Sequence, residues 1–231
     1  MNIIINGGTR GIGKEIVLLL AEDNSSKLLV TGRNSNSLRQ LSTGSEHDNI
    51  FTHVTDMAAF DDYEKPFLEA VKGCFSEVDI LINNAGYLIH TDFMNFDKKE
   101  ARILMETNFF GPASLICLLQ PIMKRGSHIV NISSMGGYQG SSKYRGMSYY
   151  SASKAALSCL SECLAGEFRE AGIAVNCLAL GAVQTEMFEE AFPGLKAPVS
   201  AKEMAQLIVY FALNGNRFFN GKVIPVAFSD P

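Results

Sequence analysis

The sequence predicts an α/β fold, a doubly wound parallel sheet with helices on both faces. Strand-like and helix-like segments alternate strictly along the 231 residues, which is the pattern of successive βαβ units. Several strand-like runs, Ile3-Ile4-Ile5 among them, are continuously apolar rather than alternating, as expected when both faces of a parallel sheet are covered. The polar motifs fall directly after strands, where open α/β sheets bind their ligands. No linker, repeat or low-complexity stretch interrupts the pattern, so residues 1–231 read as one domain.

Taken in order, Asn2–Asn6 is a strand by its isoleucine run, and the periodic stretch Gly11–Glu22 is the first helix. Lys27–Gly32, with Leu28-Leu29-Val30, is the second strand, followed by a short helix at Ser35–Leu41. Ile50–Val54 is β-rich and precedes a helical pattern over Ala59–Phe75. Asp79–Asn83 is an apolar strand, and Lys98–Lys124 a long helical pattern. His128–Ser133 is the fifth strand, Ser148–Ala171 the next helix, and Ile173–Leu178 the sixth strand. Ser200–Leu213 is the last helix and Lys222–Ala227 the last strand.

Composition excludes several functions. Apolar residues form 47% of the chain and charged residues 19%, enough for a sizeable core and too few charges for disorder. The net charge of −4 carries no basic stripe, which argues against nucleic acid as a partner. The start Met1-Asn2-Ile3 has no basic, signal-like flank, and no apolar run approaches the ~20 residues that span a bilayer. The expectation is a soluble cytoplasmic protein without a membrane partner. Five cysteines at 74, 117, 159, 163 and 177 form no disulfide framework; Cys159 and Cys163 share a helix face and suit packing better than metal or redox use. The four histidines are scattered, so no metal site is expected.

Asn6-Gly7-Gly8-Thr9-Arg10-Gly11-Ile12-Gly13 joins the first strand to the first helix. Glycines there permit a tight turn and close approach to a pyrophosphate, while the helix N-terminus offers free N–H groups. A plain strand–turn–helix corner would use two of these glycines; the full context favours a dinucleotide. At the end of the second strand an NAD site usually carries a carboxylate for the ribose 2′-OH. This chain instead reads Thr31-Gly32-Arg33-Asn34. Arg33, together with Arg10 inside the loop, suits a 2′-phosphate, hence NADP(H). The alternative for both is a solvated surface charge.

Of seven tyrosines only Tyr150 has a lysine four residues on, Lys154. On a helix these share a face, and an ammonium beside a phenol favours phenolate, giving a proton donor and acceptor usable near neutral pH. Ser133 and Ser134 end the fifth strand, where a hydroxyl can bond a substrate carbonyl. Asn108 and Asp56 are polar residues that would otherwise cap or break helices, and Ser133 reads as structural.

With these residues in place the chain resembles the short-chain dehydrogenase/reductase family, in order along nearly its whole length. Gly7, Gly11, Ile12 and Gly13 match its glycine loop, with Thr9 and Arg10 between them; Asn83-Asn84-Ala85-Gly86 matches its N-N-A-G motif, and Tyr150 and Lys154 its Y-x-x-x-K. Asn176–Thr185 is similar to its N-x-x-x-P-G-x-x-x-T, with Gly181 and Thr185 in place. The resemblance implies a Rossmann-like sheet of about seven strands and a carbonyl/alcohol oxidoreductase with a tetrad of Asn108, Ser134, Tyr150 and Lys154. It implies that Asn108 organises a relay water and that Asp56 contacts the adenine. Asn84, Ala85, Gly86, Gly181, Val183 and Thr185 would join Arg33 and Asn34 in holding the cofactor. A small-molecule carbonyl or alcohol is the implied substrate, and a homodimer or homotetramer, joined through Phe109, Phe110 and the cysteine pair, the implied assembly.

The chain departs from the family at Asn6 (for Thr), at Leu180 (for Pro, leaving the next loop less constrained) and in its ending, Ala227-Phe228-Ser229-Asp230-Pro231. Fifteen residues separate Ser134 from Tyr150, a few more than the family pattern, and Lys143 and Arg145 in that loop are either a lure for an anionic substrate or surface charge. Glu186–Val199, with Met187, Phe188, Phe192 and Leu195, is either a small hydrophobic flap or simple packing. Two other functions stay open: a dinucleotide sensor or scaffold without turnover, and a sugar epimerase or dehydratase, for which the chain lacks a larger substrate domain.

Overall fold

The computed structural model describes residues 1–228; residues 229–231 of the altered ending lie outside the described residues. The strands are β1 (Asn2–Asn6), β2 (Lys27–Gly32), β3 (Ile50–Val54), β4 (Val78–Asn83), β5 (Met123–Ser134), β6 (Ala174–Leu180), β7 (Val183–Gln184), β8 (Val199–Ser200) and β9 (Val223–Val226). Seven form one parallel sheet in the order β3-β2-β1-β4-β5-β6-β9, and β7 and β8 make a separate parallel pair. Strand order reverses between β1 and β4, and at that switch point a crevice opens beyond the strand ends.

The helices are α1 (Gly11–Ala21), α2 (Ser35–Thr43), α3 (Glu64–Cys74), α4 (Lys98–Met105), α5 (Gly111–Leu119), α6 (Ser148–Glu167), α7 (Glu186–Ala191) and α8 (Ala201–Asn214). The apolar run of β1 divides between two cores because successive side chains point to opposite faces. Ile3 and Ile5 pack with Ile16, Leu38 and Ile208 of α1, α2 and α8. Ile4 packs with Phe67, Leu115 and Ala165 of α3, α5 and α6. This two-sided burial is why the strands read as unbroken apolar runs.

The pattern over Ala59–Phe75 splits into the turn Met57–Asp62 and α3, and some ends shift by a few residues, as where α6 stops at Glu167. Three further differences from the sequence reading bear on the site. The pattern over Lys98–Lys124 is not one helix: α4 passes into a π-helical segment, Glu106–Phe110, and resumes as α5. It ends at Leu119, a short turn holds Pro121, and Met123 already belongs to β5; proline cannot extend an α-helix from within. By length and composition the helical run Lys98–Ile122 contains an 18-residue window of mean hydropathy 1.2, although charged residues at its start keep it from being continuously apolar. Here Leu104, Leu115, Ile116 and Leu119 of that run are buried in the protein. The third difference is α7, inside the segment read as flap or packing.

Candidate functional site

A cleft of about 490 Å³ lies beyond the ends of β1, β2, β4, β5 and β6. Gly7 shapes its floor. Its φ is +83°, and a Cβ there would sit 2.6 Å from the Ala85 Cα, so the loop after β1 can lie against the loop after β4 only with glycine. Asn84 Nδ2 donates to the Gly7 carbonyl at 2.8 Å, and the Asn6 carbonyl accepts from the Asn84 and Ala85 N–H groups at 3.1 and 2.8 Å. The two sequence motifs are thus fastened together. Asn6, in place of threonine, lines the cleft and accepts from Thr31 Oγ1 at 3.0 Å, while its Nδ2 is buried without a protein partner.

Thr9, Arg10, Gly11 and Ile12 line the cleft, as do Arg33, Asp56, Asn84, Ala85, Gly86, Gly181, Val183 and Thr185. Helix α1 begins there with no side-chain cap and no acidic residue in its first turn, so its first N–H groups and positive end face an anion-sized opening. The uncapped helix and the bare glycine backbone fit a dinucleotide's phosphates.

Several expected contacts are placed differently. Gly13 is buried behind the loop, where any Cβ would strike the Gly7 carbonyl, so it serves packing rather than lining. Asn34 is spent as the cap of α2, its Oδ1 accepting from Ser37 N at 3.0 Å, and it lies outside the cleft wall. Asp56 lines the cleft and also caps the turn Met57–Asp62 by accepting from Ala58 N at 3.0 Å, so the capping reading holds. Thr185 Oγ1 caps α7 by accepting from Phe188 N at 3.2 Å. Arg33 is exposed at the cleft, but Arg10 is engaged: its Nη1 lies 2.8 Å from Glu190 Oε1 on α7. Leu180 ends β6 in the core, and the loop after it is held by Gly181 N donating to the Val226 carbonyl at 2.8 Å.

Ser134, Tyr150 and Lys154 converge on the same cleft. Lys154 is 3% exposed and its Nζ lies 6.0 Å from the centre of the Tyr150 ring. The amine donates to the Ile132 carbonyl at 2.9 Å, not to the phenol. Burial lowers its pKa to about 8, opposed by the neighbouring Cys177. Burial pushes the Tyr150 phenol up, and only a hydrogen bond with Ser134 pulls it down. This differs from the expectation that Lys154 makes the phenol acidic: the amine is turned to the Ile132 carbonyl, and burial outweighs the Ser134 bond in pushing the phenol up.

Asn108 sits in the π-helical segment, fully buried, and does not line the cleft. Its Oδ1 accepts from Tyr87 N at 2.7 Å, and its Nδ2 donates to the Tyr87 carbonyl at 2.8 Å and to Ser153 Oγ at 3.0 Å. Ser153 Oγ in turn donates to the Tyr150 carbonyl at 2.7 Å. A Cβ on Gly86 would come 3.4 Å from Lys154 Nζ and 3.6 Å from Asn108 Oδ1, so the bare face of Gly86 lies between them. Ser133 is structural as read: its hydroxyl donates to the Lys154 carbonyl at 2.8 Å.

Sequence reasoning missed Glu190, Ser153 and Leu88. It also missed α7, although the run Thr185-Glu186-Met187-Phe188-Glu189 carries a helix start, a capping threonine followed by first-turn acids.

A family model described as short chain dehydrogenase matches residues 1–196. The chain is 30% identical to 3-oxoacyl-(acyl-carrier-protein) reductase FabG of Escherichia coli, across 96% of this chain and 94% of that protein. It is 34% identical to dehydrogenase/reductase SDR family member 7B of Mus musculus, across 80% of this chain but 58% of that protein. A crystal structure of a short chain dehydrogenase from Burkholderia cenocepacia in complex with NADP shares the fold with a TM-score of 0.87 and 23% identity, over 97% of this chain and 95% of that one. Glycine loop, N-N-A-G loop and serine–tyrosine–lysine cleft on a seven-stranded parallel sheet agree with these matches, and the chain belongs to the short-chain dehydrogenase/reductase family of oxidoreductases.

Proposed function

We propose that the chain is an NADP(H)-dependent reductase of a ketone, aldehyde or 3-oxoacyl group, with Tyr150 as the proton donor. The observation that carries this is the convergence of Ser134, a protonated Tyr150 and a buried Lys154 at the end of a cleft whose other end is an uncapped helix N-terminus. Arg33, Arg10 once released from Glu190, and the glycine loop would hold the dinucleotide, with Gly7, Gly11 and Asn84-Ala85-Gly86 along its length. When bound, the nicotinamide supplies the hydride. Ser134 orients the carbonyl oxygen by a hydrogen bond and Tyr150 delivers a proton to it. Lys154 stabilises the phenolate left behind. Asn108, by way of Ser153 and the gap at Gly86, keeps the tyrosine turn and the lysine in register and leaves space for a relay water.

One domain, a cytoplasmic location and a homodimer or homotetramer accompany this reading. Phe110, Cys117, Cys159 and Cys163 are exposed on α5, α6 and the segment before α5, which supports association through that face. Tyr150→Phe tests the assignment. Turnover of NADPH with a carbonyl panel is expected to fall at least about a thousandfold with NADPH binding retained. Activity within tenfold of the parent would refute it. Binding of NADPH without consumption across the panel by the parent would favour the sensor reading.

A further inference from the structure

We propose that the site takes an uncharged carbonyl compound with a bulky apolar group beside the reacting carbon, selected by Phe188 of α7 and Phe192 at its C-terminal end; this deepens the reductase reading and rests on it. Beyond Ser134 and Tyr150 the cleft wall is made by Leu88, Met147, Met187, Phe188, Phe192 and Leu195. They come from three separate segments, after β4, before α6 and along α7, and none carries a charge. The Phe188 and Phe192 rings lie 5.2 Å apart, and the His90 ring packs on Phe192 at 5.1 Å from the outside. Leu195 remains 60% exposed and Tyr144 50% exposed at the rim. A concave wall of large apolar side chains with two convergent hydroxyls is built to desolvate an apolar ligand and fix one polar atom.

The cations argue the same way. Those lining the cleft are Arg10, Arg33 and Lys154; the first two belong to the dinucleotide end and the third is bonded to Ile132. The two loop cations considered for an anionic substrate are occupied elsewhere. Lys143 Nζ donates to the Tyr138 carbonyl at 2.6 Å and to Ser141 Oγ at 2.7 Å. Arg145 makes two bonds of 2.6 Å to the Asp92 carboxylate. Neither lines the cleft. A carboxylate beside the reacting carbon would lose its hydration and find no free cation among the residues lining that part of the cleft.

The test uses the whole chain, saturating NADPH and three probes: a medium-chain 3-oxoacyl ethyl ester, the free 3-oxo acid of the same chain, and a short methyl ketone. The ester is expected to exceed the free acid at least about 100-fold in kcat/KM. Phe192→Ala should lower the ratio of ester to methyl-ketone efficiency about 10-fold, chiefly through the ester's KM. A free acid turned over as well as its ester, or a ratio unmoved by Phe192→Ala, overturns the selection argument while leaving a reductase. No NADPH consumption with any probe, despite binding, overturns the reductase reading itself and this inference with it.

Discussion

Lys154→Met separates what the lysine does for the reaction from what it costs the fold. The chain buries this amine at 3% exposure with one acceptor, the Ile132 carbonyl at 2.9 Å. Its pKa falls from 10.5 to about 8, a displacement equal to about 3 kcal/mol. The sign follows from linkage. Between pH 8 and 10.5 the unfolded chain binds more protons at this residue than the folded one, so stability rises with pH across that window. Below pH 8 the whole penalty of burying the ammonium is present. Replacing it with methionine removes that penalty but leaves the Ile132 carbonyl without this donor, which costs about 1–3 kcal/mol. The net change at pH 7 is therefore small, and the difference in slope is diagnostic. Urea unfolding of both chains from pH 7 to 10.5, followed by far-UV circular dichroism because the chain has no tryptophan, should show the parent gaining about 3 kcal/mol on the variant. Tyrosine and cysteine ionisation remote from Lys154 is common to both and cancels. Cys177, whose thiol burial raises and the lysine pulls back down, is removed from the comparison by making both chains in a Cys177→Ala background. Parallel stability curves would refute the buried-ammonium argument, and NADPH turnover retained by the variant would refute the catalytic one.

Glu190→Gln frees Arg10 from an exposed ion pair, so the NADPH dissociation constant should fall about 2- to 5-fold by fluorescence titration while that for NADH stays put; equal shifts would place Arg10 away from the 2′-phosphate. His128 is buried and neutral, its Nδ1–H donating to the Ala212 carbonyl at 3.0 Å and its Nε2 accepting from Asn176 at 3.0 Å, and burial lowers its pKa from 6.5 to about 4. Its contribution is complete above pH 6.5 and is lost as pH falls through 4, about 3 kcal/mol in all; His128→Gln should flatten that part of the acid unfolding curve. Asn108→Ala deletes three buried hydrogen bonds and is expected to cost about 3 kcal/mol in urea unfolding, with a further loss of turnover under conditions where the variant is folded.

The parts of the site that the sequence made legible are those whose chemistry is local. The glycines announce Gly7 because a positive φ and a close neighbour leave no other residue type, and the i,i+4 spacing announces the Tyr150–Lys154 face of α6. Apolar runs announce strands covered on both sides. Asn34 was readable too, as a helix cap ahead of Ser35-Asn36-Ser37, but its position beside Arg33 drew it into the cofactor set. The capping signal of Thr185 was likewise absorbed by a motif. Other features had no local trace. The partner of Arg10 is 180 residues away on α7, and nothing near Arg10 foretells a carboxylate there. The acceptor for Lys154 is a backbone carbonyl of β5, which every residue possesses, so composition cannot single it out.

That last contact changes the reasoning about the tyrosine. A lysine four residues away was expected to draw the proton off the phenol. In the cleft desolvation acts on both groups, and it favours the uncharged form of each: the phenol is raised and the amine lowered. A phenol that holds its proton until a carbonyl oxygen acquires charge is the state needed for reduction, whereas oxidation needs the phenolate first. The same burial that destabilises the lysine therefore biases the pair toward proton donation. The ammonium becomes worth its burial only when negative charge appears on the tyrosine oxygen, so its stabilising effect falls on the reacting state and not on the resting one.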